Sequence, residues 1–207
     1  MTDRSTGIRT THTGSLPRPL PLVEMLFARD DLEGAVSVCD RVLAAIRASQ
    51  LDRDTAFVYQ AWLGLRGVFA QAEGCDDKVA EIVQEILAIE PEPSQFYPIG
   101  VPWLTLLCIQ LGLHDRVAAL QVDGPLPWFD VARLMADGQL VEAANLLDQL
   151  GDLSLAAETR MVALRRLAAD GRKAEIAQEL PKVLTFYRSV GATRYVREAE
   201  TLLPSVA

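Results

Sequence analysis

From position 32 onward, apolar residues return every three or four positions, the spacing that lines one face of an α-helix. In DLEGAVSVCDRVLAAIRAS, residues Ala35, Val38, Val42, Leu43 and Ile46 fall on one side, and Asp30 or Asp31 stands where an N-cap is expected. A second helix is predicted from about Asp54 to Ala72, with Phe57, Ala61, Leu65, Val68 and Phe69 as its stripe. CDDKVAEIVQEILAIEPEP carries acids in its first turn and prolines at its close, both ordinary helix punctuation. FYPIGVPWLTLLCIQLG is broken early by Pro98 and Pro102 and then reads as a nearly all-apolar helix, which has to be central. LHDRVAALQV predicts a short helix and VDGPLP a turn. Five more helices follow to the end of the chain, separated by glycine-containing turns. No segment alternates as a strand would.

A longer period overlies the helical one. Ala136-Asp137-Gly138 returns as Ala169-Asp170-Gly171, 33 positions later, and each copy leads into a similar helix, GQLVEAANLLDQL and GRKAEIAQELPKVL. QAEGCDDKVAEIVQEIL, turning at Gly74, is a looser third copy. Two helices per unit at a period near 34 is the tetratricopeptide spacing. The expected fold is therefore all-α: an irregular tetratricopeptide-like antiparallel array, an α-solenoid, of about nine or ten helices. A non-repetitive helical bundle with glycine caps is the alternative.

The beginning follows another pattern. Residues 1–21 hold Thr, Ser, Gly and three prolines with no apolar period, which predicts a loop or tail. LVEMLFARDD predicts a short helix. Residues 1–30 are expected to form no independent domain, with 31–207 as the helical-repeat domain. The helix after Asp31 has a wide apolar surface. Leu22, Val23, Met25, Leu26 and Phe27 are expected to cover it, or else to leave it for self-association as a homo-oligomer.

Composition narrows the partners. A net charge of −8 argues against nucleic acid and against an anionic membrane surface, since both need a dense Lys/Arg face. WLTLLCIQLGL, the longest apolar run, is short of the roughly 18 residues of a membrane span. Cys39, Cys75 and Cys108 stand far apart without a C-x-x-C pair, which suggests buried thiols in a reducing, cytoplasmic setting.

Individual residues offer less. His12 and His114 read as a tail residue and a helix-start residue. LPRPLP has the form of a short polyproline ligand. Asp76, Asp77, Glu81 and Glu85 predict a solvated acidic face, and Arg160, Arg165, Arg166, Arg172 and Lys173, interleaved with acids, predict surface ion pairs. Trp62, Trp103 and Trp128 are candidate core residues, Trp128 half exposed.

Two stretches carry resemblances. IRTTHTGSLPRPLPLVEMLFARD, residues 8–30, resembles the N-terminus of the cobalamin-independent methionine synthase family, whose T-T-x-x-G-S-[LF]-P-[RQ] loop leaves the first strand of a (β/α)₈ barrel. That resemblance implies a homocysteine-binding role for Gly14 and Ser15, with His12 in the same loop. The family's chemistry also needs a zinc site of His, Cys and Glu ligands at the mouth of a barrel of typically ~250 residues. Only 177 residues follow position 30, without strand pattern and with His114 as the one further histidine. LTFYRSVGATRYVREAETLL is similar to the C-terminal end of the tetratricopeptide-like regions of large bacterial regulators, which join a cyclase or transcriptional-activator domain to an ATPase module. Phe186-Tyr187-Arg188, Gly191-Ala192-Thr193 and Arg197-Glu198-Ala199-Glu200 carry that likeness. The two stretches meet near Arg29–Asp31, which reads as a junction between sequences of different origin.

The expected function is a non-catalytic module that binds a protein or peptide within a bacterial regulatory assembly. No catalytic residue, metal or cofactor is expected. One alternative is a homocysteine- or folate-related methyltransferase, or an inactive remnant of one, resting on Thr10 to Pro19. Another is a small-molecule sensor with a pocket lined by Trp103 and Trp128.

Overall fold

The computed structural model describes residues 20–49, 53–89, 100–119 and 126–202. Among these residues it contains eleven helices and no strand. In chain order they are α1 (Leu20–Ala28), α2 (Leu32–Ala48), α3 (Arg53–Glu73), α4 (Asp76–Leu87), α5 (Gly100–Gln110) and α6 (His114–Ala119), then α7 (Pro127–Ala136), α8 (Leu140–Leu150), α9 (Leu153–Ala169), α10 (Lys173–Val190) and α11 (Thr193–Thr201). The count is slightly above the nine or ten expected, and the short helices predicted at LVEMLFARDD and LHDRVAALQV are present as α1 and α6, of nine and six residues.

The apolar period accounts for how the helices are buried. On α2, Ala35, Leu43 and Ile46 are buried and Val38 and Val42 half-buried, with Cys39 added to the same face. The expected stripe of α3 faces the core, but burial there extends around the helix to Tyr59, Gln60, Trp62, Leu63 and Arg66. The near-uniform apolarity of α5 has the consequence foreseen for it. Eight of its eleven residues are buried, and it packs against α3, α6, α7 and α9. The approach of α3 to α5 is close enough that a Cβ on Gly64 would stand 3.0 Å from the Cβ of Leu107.

Local chemistry sets the helix ends. Asp31, not Asp30, caps α2, its carboxylate accepting from the Gly34 N–H at 2.9 Å. Asp30 instead adopts φ 67°, the one positive φ outside glycine among the described residues. The two Ala-Asp-Gly copies make the same turn. Gly138 and Gly171 take φ 77° and 69°. The next N–H in each reaches back five residues, Gln139 to Leu134 O at 2.8 Å and Arg172 to Leu167 O at 2.9 Å.

Helix α1 packs on α2 and α11, bringing the first and last described helices together. Val23 and Phe27 are buried, while Leu22 and Met25 face outward. The Phe27 ring lies 4.8 Å from Phe69 of α3 and meets Tyr195 of α11 edge-on at 6.0 Å. Arg194 sits 4.3 Å above it, and Asp30 pairs with Arg197 at 2.7 Å and Arg194 at 3.6 Å. Of the two roles expected for LVEMLF, covering accounts for Val23 and Phe27. No helix among the described residues is long and apolar enough to cross a membrane.

Candidate functional site

Two concavities are built by these helices. The larger, about 560 Å³, runs along α9 and α10 with one edge from α8. Arg160 holds its walls together. Expected on the surface, this guanidinium is only 4% exposed. It donates from Nη2 to Asn145 Oδ1 (2.8 Å) and Asp148 Oδ2 (2.5 Å) on α8, and from Nε to Glu179 Oε2 (3.2 Å) on α10. Glu179 is itself 5% exposed and accepts a second bond from Lys182 at 2.8 Å. The pairing follows from burial, because neither charge could leave water unpartnered without a cost of several kcal/mol, on the order of the ~3–5 measured when one member of such a pair is deleted.

The groove's hydroxyls are satisfied inside α10, Thr185 donating to Pro181 O and Ser189 to Phe186 O, each at 2.7 Å. Pro181 lies within α10, where its missing N–H breaks the helical ladder; it stays exposed on the groove side. Leu153, exposed by 53%, and Phe186, Ala157 and Val183 supply the apolar lining.

The smaller concavity, about 20 Å³ and partly open, lies between α1, α3, α5, α9 and α11. Aromatic rings of Phe27, Phe69, Trp103 and Tyr195 wall it, and Glu24, Glu158 and Gln110 give it polar groups. That volume holds about one water-sized group. Withdrawal from water, with Asp152 nearby, pushes the Glu24 carboxyl up to about 7. Withdrawal from water, Glu24 and Asp152 together push Glu158 up to about 8, against the opposing pull of Arg165. Behind them Tyr187 and Tyr195 stack at 4.6 Å. Burial raises both phenols, and the Tyr187 hydroxyl has no hydrogen-bond partner among the described residues.

The residues singled out from the sequence fall in several places. His12, Gly14 and Ser15 lie outside the described residues, as does the polyproline-like stretch up to Pro19. His114 is exposed at the first position of α6. Trp62 is core; Trp103 and Trp128 are half-buried, and of these two only Trp103 borders the smaller cavity. On α4, Asp76, Asp77 and Glu81 are solvated. Glu85 departs from that face, pairing with Arg47 at 2.8 Å and accepting from the Tyr59 hydroxyl. Arg165 pairs with Glu198, at 2.5 and 3.0 Å, and Arg172 with Glu175.

Sequence reasoning missed the Glu24–Glu158 pair and the burial of Arg160, although each left a trace. Three and four residues either side of Arg160 stand Ala156, Ala157, Ala163 and Leu164, so the arginine occupies an apolar stripe. Glu24 is likewise flanked by Leu20, Phe27 and Ala28.

No protein-family model, curated protein or solved structure matches this chain.

Proposed function

We propose that this chain is a non-catalytic interaction module, an irregular tetratricopeptide-like array whose α8–α10 groove receives an apolar segment of a protein partner. The observation that carries this reading is how the groove divides its chemistry. Its charged and hydroxyl groups are held by bonds within the chain, whereas Leu153 and Phe186 offer apolar surface to whatever enters. Lys182 has three donor positions and spends one on Glu179, so it can meet a carboxylate or carbonyl of the incoming segment. An amphipathic helix with apolar anchors and one acidic residue fits these terms.

The return of Ala-Asp-Gly after 33 positions, each copy leading into a similar helix, supports the repeat assignment. A place in a regulatory assembly rests on the ending's likeness to bacterial regulators. The net charge of −8 favours a protein over a nucleic-acid partner. The cytoplasm suits thiols as deeply buried as Cys39 and Cys108.

Affinity capture with the native chain and a Leu153→Asp/Phe186→Ser variant tests the assignment, with helix content matched by circular dichroism. A partner retained by the native chain and lost by the variant supports the groove. A partner held equally by both places the contact elsewhere.

A further inference from the structure

Helix α1 is held to the body by apolar contacts and by Asp30 at its end, and Glu24 of α1 and Glu158 of α9 line the same small cavity between them. Carboxylates brought together this way are ordinarily neutralised by a cation. Here the cations are engaged elsewhere: Arg165 with Glu198, and Arg194 and Arg197 with Asp30. Among the described residues no hydrogen bond or ion pair holds Glu24 or Glu158.

The surroundings of the pair come from every helix packed around it. From α9 come Glu158 itself, Arg165 and the N-cap Asp152, which accepts from the Leu155 N–H. From α10 comes Tyr187, and from α11 Tyr195, Glu198 and Arg194. The cavity linings from α3 and α5 contain no titratable side chain, and the charged side chains of α2 are exposed. The balance around the two carboxyls is therefore negative or neutral, and a proton is the cheapest counter-charge for a space that holds about one water-sized group.

We propose that the Glu24–Glu158 pair is a proton-operated latch: α1 stays docked while the pair keeps a proton, and loss of both protons to water drives α1 off the α9–α11 surface. The two carboxylates then repel across the cavity, and moving α1 outward lets both regain water. Release uncovers Phe69 and Tyr195, the rings that Phe27 packs against, and opens the cavity that Trp103 borders. The sign follows from linkage. In the docked state both carboxyls bind protons more tightly than the ordinary value of 4.5. Docking is therefore unaffected below that value, weakens as pH rises from it, and reaches its full penalty only above about 8.

Hydrogen-exchange mass spectrometry of the full chain between pH 6 and 9 tests this. Protection factors, corrected for intrinsic exchange, are compared for α1 and for α10 as an internal reference. The α1 protection is expected to fall at least ~30-fold relative to α10 across this range. Glu158→Gln, which keeps the shape and removes one charge, is expected to make the fall in α1 protection by pH 9 clearly smaller. Glu24→Gln should do the same and serves if the first variant folds poorly. A ratio independent of pH in the native chain, or an unchanged pH dependence in the glutamine variants, overturns the latch. So does restoration of protection at pH 9 by ammonium or potassium, which would make the occupant a cation.

Discussion

Replacing Arg160 with alanine removes a guanidinium that is 4% exposed and that ties two helices to α9. The consequences differ at its two ends. Asp148, 41% exposed, returns to water at little cost. Glu179, 5% exposed, cannot. Deleting one member of a buried pair costs about 3–5 kcal/mol. Lys182 still reaches Glu179 at 2.8 Å, which trims the penalty, while the lost packing of the arginine stem adds to it. A net destabilisation of about 3 kcal/mol results, which for a chain of this size lowers Tm by roughly 6–12 °C. Urea unfolding followed by far-ultraviolet circular dichroism measures it directly. The companion variant Arg160→Met/Glu179→Leu removes both charges and fills their volume, so it should stay within about 1 kcal/mol of the native chain. An alanine variant that loses less than about 1 kcal/mol with an unchanged m-value would refute the account. A double variant as unstable as the single one would refute it equally, because the cost would then not come from the stranded carboxylate.

Three further outcomes follow from burial and close packing. Of the three cysteines, Cys75 alone is exposed, and burial pushes the Cys108 thiol up to about 11 and, with Asp40 nearby, that of Cys39 up to about 12. Ellman's reagent at pH 8 should therefore titrate one thiol quickly in the native chain and all three in denaturant, and a second fast thiol would contradict this packing. Gly64→Ala gains about 1 kcal/mol of helix propensity, yet its Cβ meets the Cβ of Leu107 and so forces α3 and α5 apart. A net loss of about 1–2 kcal/mol is expected in urea unfolding. Gly67→Ala should be milder, because its Cβ meets the tips of Leu111, which can swing.

The helices were legible because each is announced by its own residues. Ala35, Leu43 and Ile46 turn inward on α2 as their spacing foretold, and the nearly all-apolar run from Val101 to Ile109 could only be central. Asp31 caps its helix through a bond three residues away, which a local pattern can anticipate. What escaped is what two distant helices do together. Glu24 and Glu158 look like ordinary acidic positions in helices far apart in the chain, and only packing brings them to one cavity. Arg160 was visible as a charge and not as a buried one, since a cluster of arginines and glutamates reads as surface until the acceptors on α8 and α10 are known. The groove was illegible for the same reason, being made by three helices whose separate patterns describe only which side faces in.

The contact between α1 and α11 changes how the molecule comes apart. In a row of helices touching only their sequence neighbours, a terminal helix frays without troubling the others, and unfolding spreads inward step by step. Here Phe27 lies against both Phe69 and Tyr195, and Asp30 against Arg194 and Arg197, so peeling α11 away also strips the cover from α3. The coupling is unequal: α1 can lift from α9–α11 without unfolding them, but α11 cannot leave without also loosening α1 and the cover that Phe27 gives Phe69.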